Sequence, residues 1–433
     1  MELTLSPIYL TENKGKGIKP EKPEKKPYSN YQEYQLSVPD AWHSGSAVTP
    51  EAPGFITKTV YSFYKVTEAQ GFDRAMHALN IHDLWYVRLI KQVLLDAPFT
   101  LYSGGVVHET AGHGWRAKEI GCEQKYLFNP FLAEFGQRED VECPIESMTP
   151  LNSLIGTVEG PASTQNASKW AHRDMLVNGG DHIKAYWYLD TKLDITNYTM
   201  LWNNPTWTII MSKFDDAYRG GDTRGDVAGF WYDSQDLRYQ ELLDKGWLPE
   251  EIHEKGLFKG PGFSYWNIYI GALWNLIDPT AVYMAIQLVK YVFLGEDKFE
   301  MPGFIPRTNY YMTPNGPLYQ LAVPFRIGPA VMEAGMETTV NTEGLEQSGG
   351  GWLKLHNLKW QPAKYARFDF GAELHVFNRR GKWGVLAEGS LMYSPIDQIG
   401  IGGSVGYKSE NVYLPGRPYE DSLLYSIDVA VRF

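Results

Sequence analysis

At 433 residues, with 51 acidic against 40 basic side chains, the chain is long enough for more than one core and carries a formal net charge of −11. That balance, with no basic stripe on any predicted element, excludes general nucleic-acid binding, because a phosphate polyanion would be repelled. The 28 Tyr and 14 Trp point to many side chains at an apolar/polar boundary. Two cysteines, Cys122 and Cys143, are too few for a disulfide scaffold but enough to close one modest loop in an oxidising compartment.

Residues 1–55 read as an irregular arm, in which the basic run Lys14 to Lys26 is interleaved with Pro20, Pro23 and Pro27 as in a solvated linker. From 56 to 301 the pattern is mainly helical. Leu84, Val87, Ile90, Val93 and Leu94 recur at helical spacing over Asp83 to Asp96 until Pro98 breaks the pattern. A second helix is expected from Leu101 to Ile120, ending at Gly121 with Arg116 and Lys118 in its last turns. A third is expected over Pro161 to Val177, with Pro161 at its first position and Gly179-Gly180 as its stop. The Gly-Asp-rich stretch from Gly220 to Asp226 lacks the ligand spacing of an EF-hand and reads as a turn before a helical stretch near Ser234 to Lys245. Ile268 to Leu294 is apolar, but Asp278-Pro279 divides it into two helices, with Asp278 as N-cap. Each is shorter than the roughly twenty residues a membrane-spanning helix needs.

After Pro302 the period changes to two. Tyr319, Leu321, Val323, Phe325 and Ile327 alternate with Gln320, Ala322, Pro324 and Arg326, and the runs Met332–Glu337, Ala366–Val376, Trp383–Tyr393 and Ile399–Gly406 repeat this. Short turns such as Asn378-Arg379-Arg380-Gly381 make them an antiparallel meander. With less regular runs near Ile305–Met312 and Trp352–Trp360, about eight strands are expected, enough to close a small barrel. The polar set carries charges of both signs, among them Arg326, Glu333, Asp369, Glu373, Glu388, Asp428 and Arg432, which can pair inside a narrow lumen. Aromatics such as Trp383, Tyr393, Tyr407 and Tyr425 lie near strand ends. Both features favour an apolar face turned outward over a soluble barrel with an apolar interior.

The last run, Tyr425-Ser-Ile427-Asp-Val429-Ala-Val431-Arg-Phe433, resembles the C-terminal signal of Gram-negative outer-membrane β-barrels. The resemblance covers the region 319–433 and implies an outer-membrane address with the lipid bilayer as partner. The expected fold class is α+β: an irregular arm (1–55), a mainly helical domain (56–301) and an antiparallel membrane β-barrel (302–433). Met1-Glu-Leu-Thr-Leu has no basic start followed by an apolar stretch, so an exported protein numbered this way is expected to be a mature or trimmed form.

Within the helical domain, Val106-Val107-His108-Glu109-Thr110-Ala111-Gly112-His113 is similar to the His-Glu-x-x-His motif of zincin metallopeptidases, lengthened by one residue. The parent motif places two histidines on zinc and a glutamate as general base. In a regular helix, positions five apart diverge by about 140°, so His108 and His113 converge only across a π-bulge, which Gly112 could permit. Alternatively Glu109 and His113, four apart, are the ligands, or the cluster is a structural polar network. The gluzincin branch takes its third ligand from a glutamate on a following helix, which the resemblance carries to Glu159 in Val158-Glu-Gly-Pro161, with His172 beside Asp174 as the alternative. The resemblance implies a zinc-dependent hydrolase, with His108, His113 and Glu159 on the metal and Glu109 as base. Its substrate is expected to be a peptide or an acyl-lipid amide or ester. The competing expectation is a non-enzymatic outer-membrane protein whose helical part plugs the barrel or docks a partner.

Overall fold

The computed structural model describes residues 33–39, 60–127, 138–202, 226–339 and 348–432, apart from short gaps within these stretches. The run Lys14 to Lys26, the turn expected from Gly220 up to Asp226 and the terminal Phe433 lie outside them, Asp226 itself excepted. Helix α1 (Arg74–Ala78) follows a π-helical segment, Glu68–Asp73. From Trp85 the chain runs without a break through α2 (Trp85–Lys91), a second π segment (Gln92–Asp96), α3 (Ala97–Val106), a third π segment (Val107–Gly114) and α4 (Trp115–Glu119). Pro98 therefore does not break the pattern. It stands in the first turn of α3, where no N–H is required, directly after the wide turn that ends α2.

Cys122 and Cys143 form a disulfide that flanks a two-stranded hairpin, β2 (Glu123–Leu127) with β3 (Arg138–Glu142). Helix α5 (Pro150–Asn178) starts earlier than the Pro161 boundary predicts, because Thr149 accepts the Asn152 N–H at 3.2 Å and Pro150 takes the first position. Pro161 consequently sits inside the helix, at a cost of about 3 kcal/mol that burial of Leu154, Ile155, Val158 and Ala162 offsets. Gly179, at φ 83°, ends it as predicted. The short strand β4 (Gly180–Asp181) leads into α6 (His182–Asn197), followed by a π segment, Tyr198–Trp202. Helices α7 (Asp226–Asp244), α8 (Pro249–Glu254), α9 (Tyr265–Leu276) and α10 (Pro279–Leu294) complete this part. Asp278 caps α10 by accepting the Thr280 N–H at 3.2 Å.

After β5 (Lys298–Phe299), paired with β4, the chain forms β6 (Arg307–Tyr311), β7 (Leu318–Ile327), β8 (Ala330–Thr339), β9 (Gly349–Ala363), β10 (Ala366–Arg379), β11 (Lys382–Ile396), β12 (Ile399–Lys408) and β13 (Ser422–Arg432). Each pairs antiparallel with the next. A ninth strand, β1 (Glu33–Pro39), pairs with β13. It lies within the segment whose Lys/Pro composition predicts an irregular arm; pairing of Tyr34 to Val38 against Val431 to Ile427 orders it. The fold is thus a helical region followed by an antiparallel sheet. Among the described residues no ladder joins β1 to β6, so the sheet is open.

The two faces of the sheet have opposite environments. Ile327, Ile401 and Leu423 are 62%, 56% and 63% exposed, while Glu333 and Glu337 are 1% and 5% exposed. The buried face pairs its charges: Glu333 accepts from Arg307 (2.8 Å) and Trp352 (3.0 Å), and Glu337 from Gln320 (2.7 Å) and Arg379. The C-terminal half of α5 lies against this face. Arg173 donates to the His356 carbonyl (2.9 Å), Tyr311 to Asn166 (3.1 Å) and Asn166 to the Pro415 carbonyl (3.2 Å).

Edge strand β6 is capped by helices. The Thr308 N–H donates to Asp278 (3.1 Å), and its carbonyl accepts from Lys192 on α6, so these backbone groups are not free to pair with another strand.

Closure of the 21-residue separation by the Cys122–Cys143 bridge is worth about 3 kcal/mol. Serine at both positions should lower the stability of the helical region by that amount, read as a shift of its denaturant midpoint. An unchanged midpoint would show that strand pairing alone holds the hairpin.

Candidate metal centre

The π segment Val107–Gly114 places His108 and His113 on one side of the backbone. Bonding from i to i+5 widens the turn, so residues five apart align as residues four apart do in an α-helix. Their Nε2 atoms stand 3.2 Å apart. Asp226, the first residue of α7, completes the group, with Oδ2 at 2.8 Å from His108 Nε2 and Oδ1 at 3.4 Å from His113 Nε2.

Each imidazole is oriented from behind. His113 Nδ1 lies 2.7 Å from the Gly156 carbonyl, which only accepts, so Nδ1 carries the proton and Nε2 has its lone pair free when the ring is neutral. His108 Nδ1 lies 3.1 Å from Asp194 on α6, and Asp194 also accepts from Thr164 at 2.6 Å. The Tyr198 ring stacks on His108 at 5.1 Å and 6°. A carboxylate or carbonyl behind each ligand histidine is the arrangement that fixes tautomer and basicity in metal sites.

Helix α5 passes close beneath. A Cβ at Gly160 would fall on the Nε2 atoms of both histidines, and one at Gly112 would fall on the Gly160 backbone. Only glycine at both crossing positions lets the π segment approach α5 while leaving the space between the Nε2 atoms open. His113 and Asp226 are 19% and 17% exposed, which makes their side the accessible one.

Burial works against charge on the histidines, but the carboxylates outweigh it. Asp226 brings His113 up to about 9, and Asp194 with Asp226 holds His108 well above the ordinary imidazole range. Burial likewise opposes ionisation of Asp226, yet the two histidines keep it below the ordinary carboxylate range. The Glu109 carboxyl is pushed up by burial, offset in part by His113 and His108.

Of the residues expected from sequence, the structure brings His108 and His113 together, with Glu109 in their electrostatic field. It does not bring Glu159 to them. Glu159 lies inside α5 and its carboxylate accepts from Arg116 at 3.0 Å. Asp226 stands in the third place instead. His172 is buried elsewhere along α5, its ring 6.1 Å from that of Tyr188, while Asp174 pairs with Lys184 at 2.5 Å. Asp226, Asp194 and Gly160 escape a sequence reading, although His182, Tyr186, Asp190 and Asp194 recur four apart on one side of α6, an unusual row of ionisable groups.

A second group of the same residue types, Glu68, Asp96 and His182, lies at the other end of that row, about 18 Å along α6. Here the Lys91 ammonium stands among the three. It bonds Glu68, lies 3.3 Å from Asp96 and 2.9 Å from His182 Nε2, and donates to the Tyr291 hydroxyl at 3.2 Å. A divalent ion could enter only by displacing it. The His108 group holds no such internal cation among the described residues.

Comparison with protein-family models, curated proteins and solved structures finds no match to this chain.

Gly160→Ala should abolish metal uptake, whereas Gly156→Ala, whose Cβ meets nothing within 4 Å, should preserve it; equilibrium dialysis against zinc compares them. In the metal-free protein the charged His113 contributes its full stability below its ordinary value of 6.5, and this is lost as pH rises toward about 9. Tm should therefore fall between pH 6.5 and 9, and Asp226→Asn should flatten the decline.

Proposed function

We propose that this chain is a metal-dependent hydrolase held in an outer membrane by its sheet. The observation that carries the chemistry is the convergence of His108, His113 and Asp226 across a π segment, with Nδ1 of each histidine engaged from behind. Two imidazole nitrogens and one carboxylate, with an accessible side left open, are the donor set of a catalytic zinc site. Zinc bound there would supply Lewis acidity toward a carbonyl and lower the pKa of water. Glu109, whose carboxyl burial pushes up, is suited to take a proton from the attacking water and return it to the leaving group. Asp194 and the Gly156 carbonyl act as positioning groups.

The membrane part of the reading is supported by the inverted sheet, apolar where exposed and ion-paired where buried, and by the alternation of its last strand. In this reading the sheet is the wall of a small barrel, with the C-terminal half of α5 in its lumen. The substrate is an amide or ester, either a peptide or an acyl lipid.

Metal analysis of detergent-extracted protein tests the chemistry. Wild type and Glu109→Gln should hold near-stoichiometric zinc, with hydrolysis lost only in the latter. His113→Ala and Asp226→Ala should lose the metal, and Asp194→Asn should weaken it by about 10- to 100-fold. Metal-free wild type from a zinc-replete preparation would sink the proposal.

The contact of α5 with the polar face of the sheet favours a second reading, a non-enzymatic barrel with a helical plug or docking domain. It predicts that Glu109→Gln is silent in cells while disruption of the Arg173 and Asn166 contacts is not.

A further inference from the structure

The helices beside the capped edge of the sheet expose an apolar face of their own. On α10, Val282, Ile286, Val289, Phe293 and Leu294 are exposed. On α9 the exposed residues are Trp266, Ile270, Leu273 and Leu276, with Ile277 in the bend. Their spacing of three and four is one continuous helix stripe. Trp85, Leu89 and Ile90 on α2 and Val93 in the π segment after it extend it, and the Trp85 ring stacks on Phe293 at 5.7 Å.

Three features of this stripe match acyl chains. The first is charge: from Tyr265 to Val289 the only Asp, Glu, Lys, Arg or His is Asp278, which is buried and engaged with Tyr188, Thr280 and Thr308. The second is length. No single described helix is long and apolar enough to span a bilayer, but Trp266–Leu276 and Pro279–Leu294 together are, bent by 46°. At the α-helical rise they measure roughly 16 and 24 Å, which together cover the ~30 Å hydrocarbon core even with the bend. A buried core helix can be equally apolar, but Ile277, Val289 and Leu294 are 61%, 57% and 66% exposed. The third is the order of residue types. Trp266 lies at one end and Trp85 with Phe293 at the other, with aliphatic side chains between, the sequence of an interfacial girdle, a lipid-facing band and a second girdle.

We propose that α2, α9 and α10 face lipid acyl chains and complete, as helices, the stretch of membrane wall that the strands leave open beside β6. The proposal rests on the membrane reading above. Asp278 and Lys192 then do for Thr308 on the edge of β6 what a neighbouring strand does in an all-β barrel: they satisfy its N–H and carbonyl where water is absent.

The full chain lends itself to site labelling, because its two cysteines are both in the disulfide. Single cysteines at Ile286 and Ile270 on the helices, at Leu391 and Ile401 on the outward sheet face, and at exposed Lys255 as control would carry an environment-sensitive dye. The protein is reconstituted in phosphatidylcholine vesicles doped with acyl-chain nitroxide lipid. Helix and sheet labels should lose fluorescence to the nitroxide and resist aqueous iodide, with the reverse at Lys255. Quenching at the sheet but not the helices overturns the proposal and leaves the membrane reading standing. Quenching at neither overturns both. Unmodified protein exposed to a carbene-generating lipid probe guards against misfolded variants: adducts should map to 266–294, and their absence alongside adducts on β11 and β12 would refute the helical wall, including by revealing a second copy or another protein seated on it.

Discussion

The crossing of the π segment Val107–Gly114 over α5, glycine against glycine at Gly112 and Gly160, is the contact on which the rest of the molecule depends. A side chain at Gly112 would push the two backbones apart, and one at Gly160 would fill the space between His108 and His113. The same helix that forms the floor of the site continues, past Pro161, into contact with the polar face of the sheet through Asn166 and Arg173. The candidate site and the sheet are therefore placed by one element. The interior proline fits this arrangement, because a helix buried on several sides takes its stability from packing rather than from an unbroken ladder.

The two ionisable clusters along α6 show how similar donor sets acquire different character. Around His182 the carboxylates of Glu68 and Asp96 are answered by Lys91, so the group carries its own cation and its charges are paired in place. Around His108 the available positive charge is protons on imidazole, held there by Asp226 and Asp194. Protons on imidazole exchange with a metal ion readily, whereas a lysine ammonium on a buried stem leaves only if the chain rearranges. That difference, rather than residue type, separates the cluster suited to coordination from the one suited to structure.

Much of this was legible in the sequence, for physical reasons that also explain what was not. Period-two alternation reports a strand with unlike faces, so the strands from Tyr319 onward and the Asn378–Gly381 turn follow directly from residue order. The spacing of five between His108 and His113 excludes a regular helix if both are to converge, which leaves the π turn as the geometry that joins them. Asp226 is 118 residues from His108, and no local pattern marks the partner of a contact made by folding. The neighbours of Glu159 in sequence resemble a ligand context, but helical phase turns its carboxylate to Arg116. The strand Glu33–Pro39 lies in a Lys- and Pro-rich context and acquires its conformation from β13, beyond the reach of local propensity.

The sheet poses a problem of solvent that water solves badly on both faces. Outward Ile327, Ile401 and Leu423 would order water at an unfavourable free energy of roughly 25 cal/mol for each Å² of apolar surface. Inward Arg307–Glu333 and Arg379–Glu337 give up hydration that exposed ion pairs would keep. Under the proposed membrane reading, hydrocarbon on the first face would reverse the sign of the first term, and α5 softens the second because it brings donors and acceptors to the charged face. Hydrocarbon also disfavours an unsatisfied sheet edge, and on β6 the outward N–H and carbonyl of Thr308 are met by Asp278 and Lys192. Face polarity and edge capping are independent properties of the sequence, and under the proposed membrane reading a single medium accounts for both.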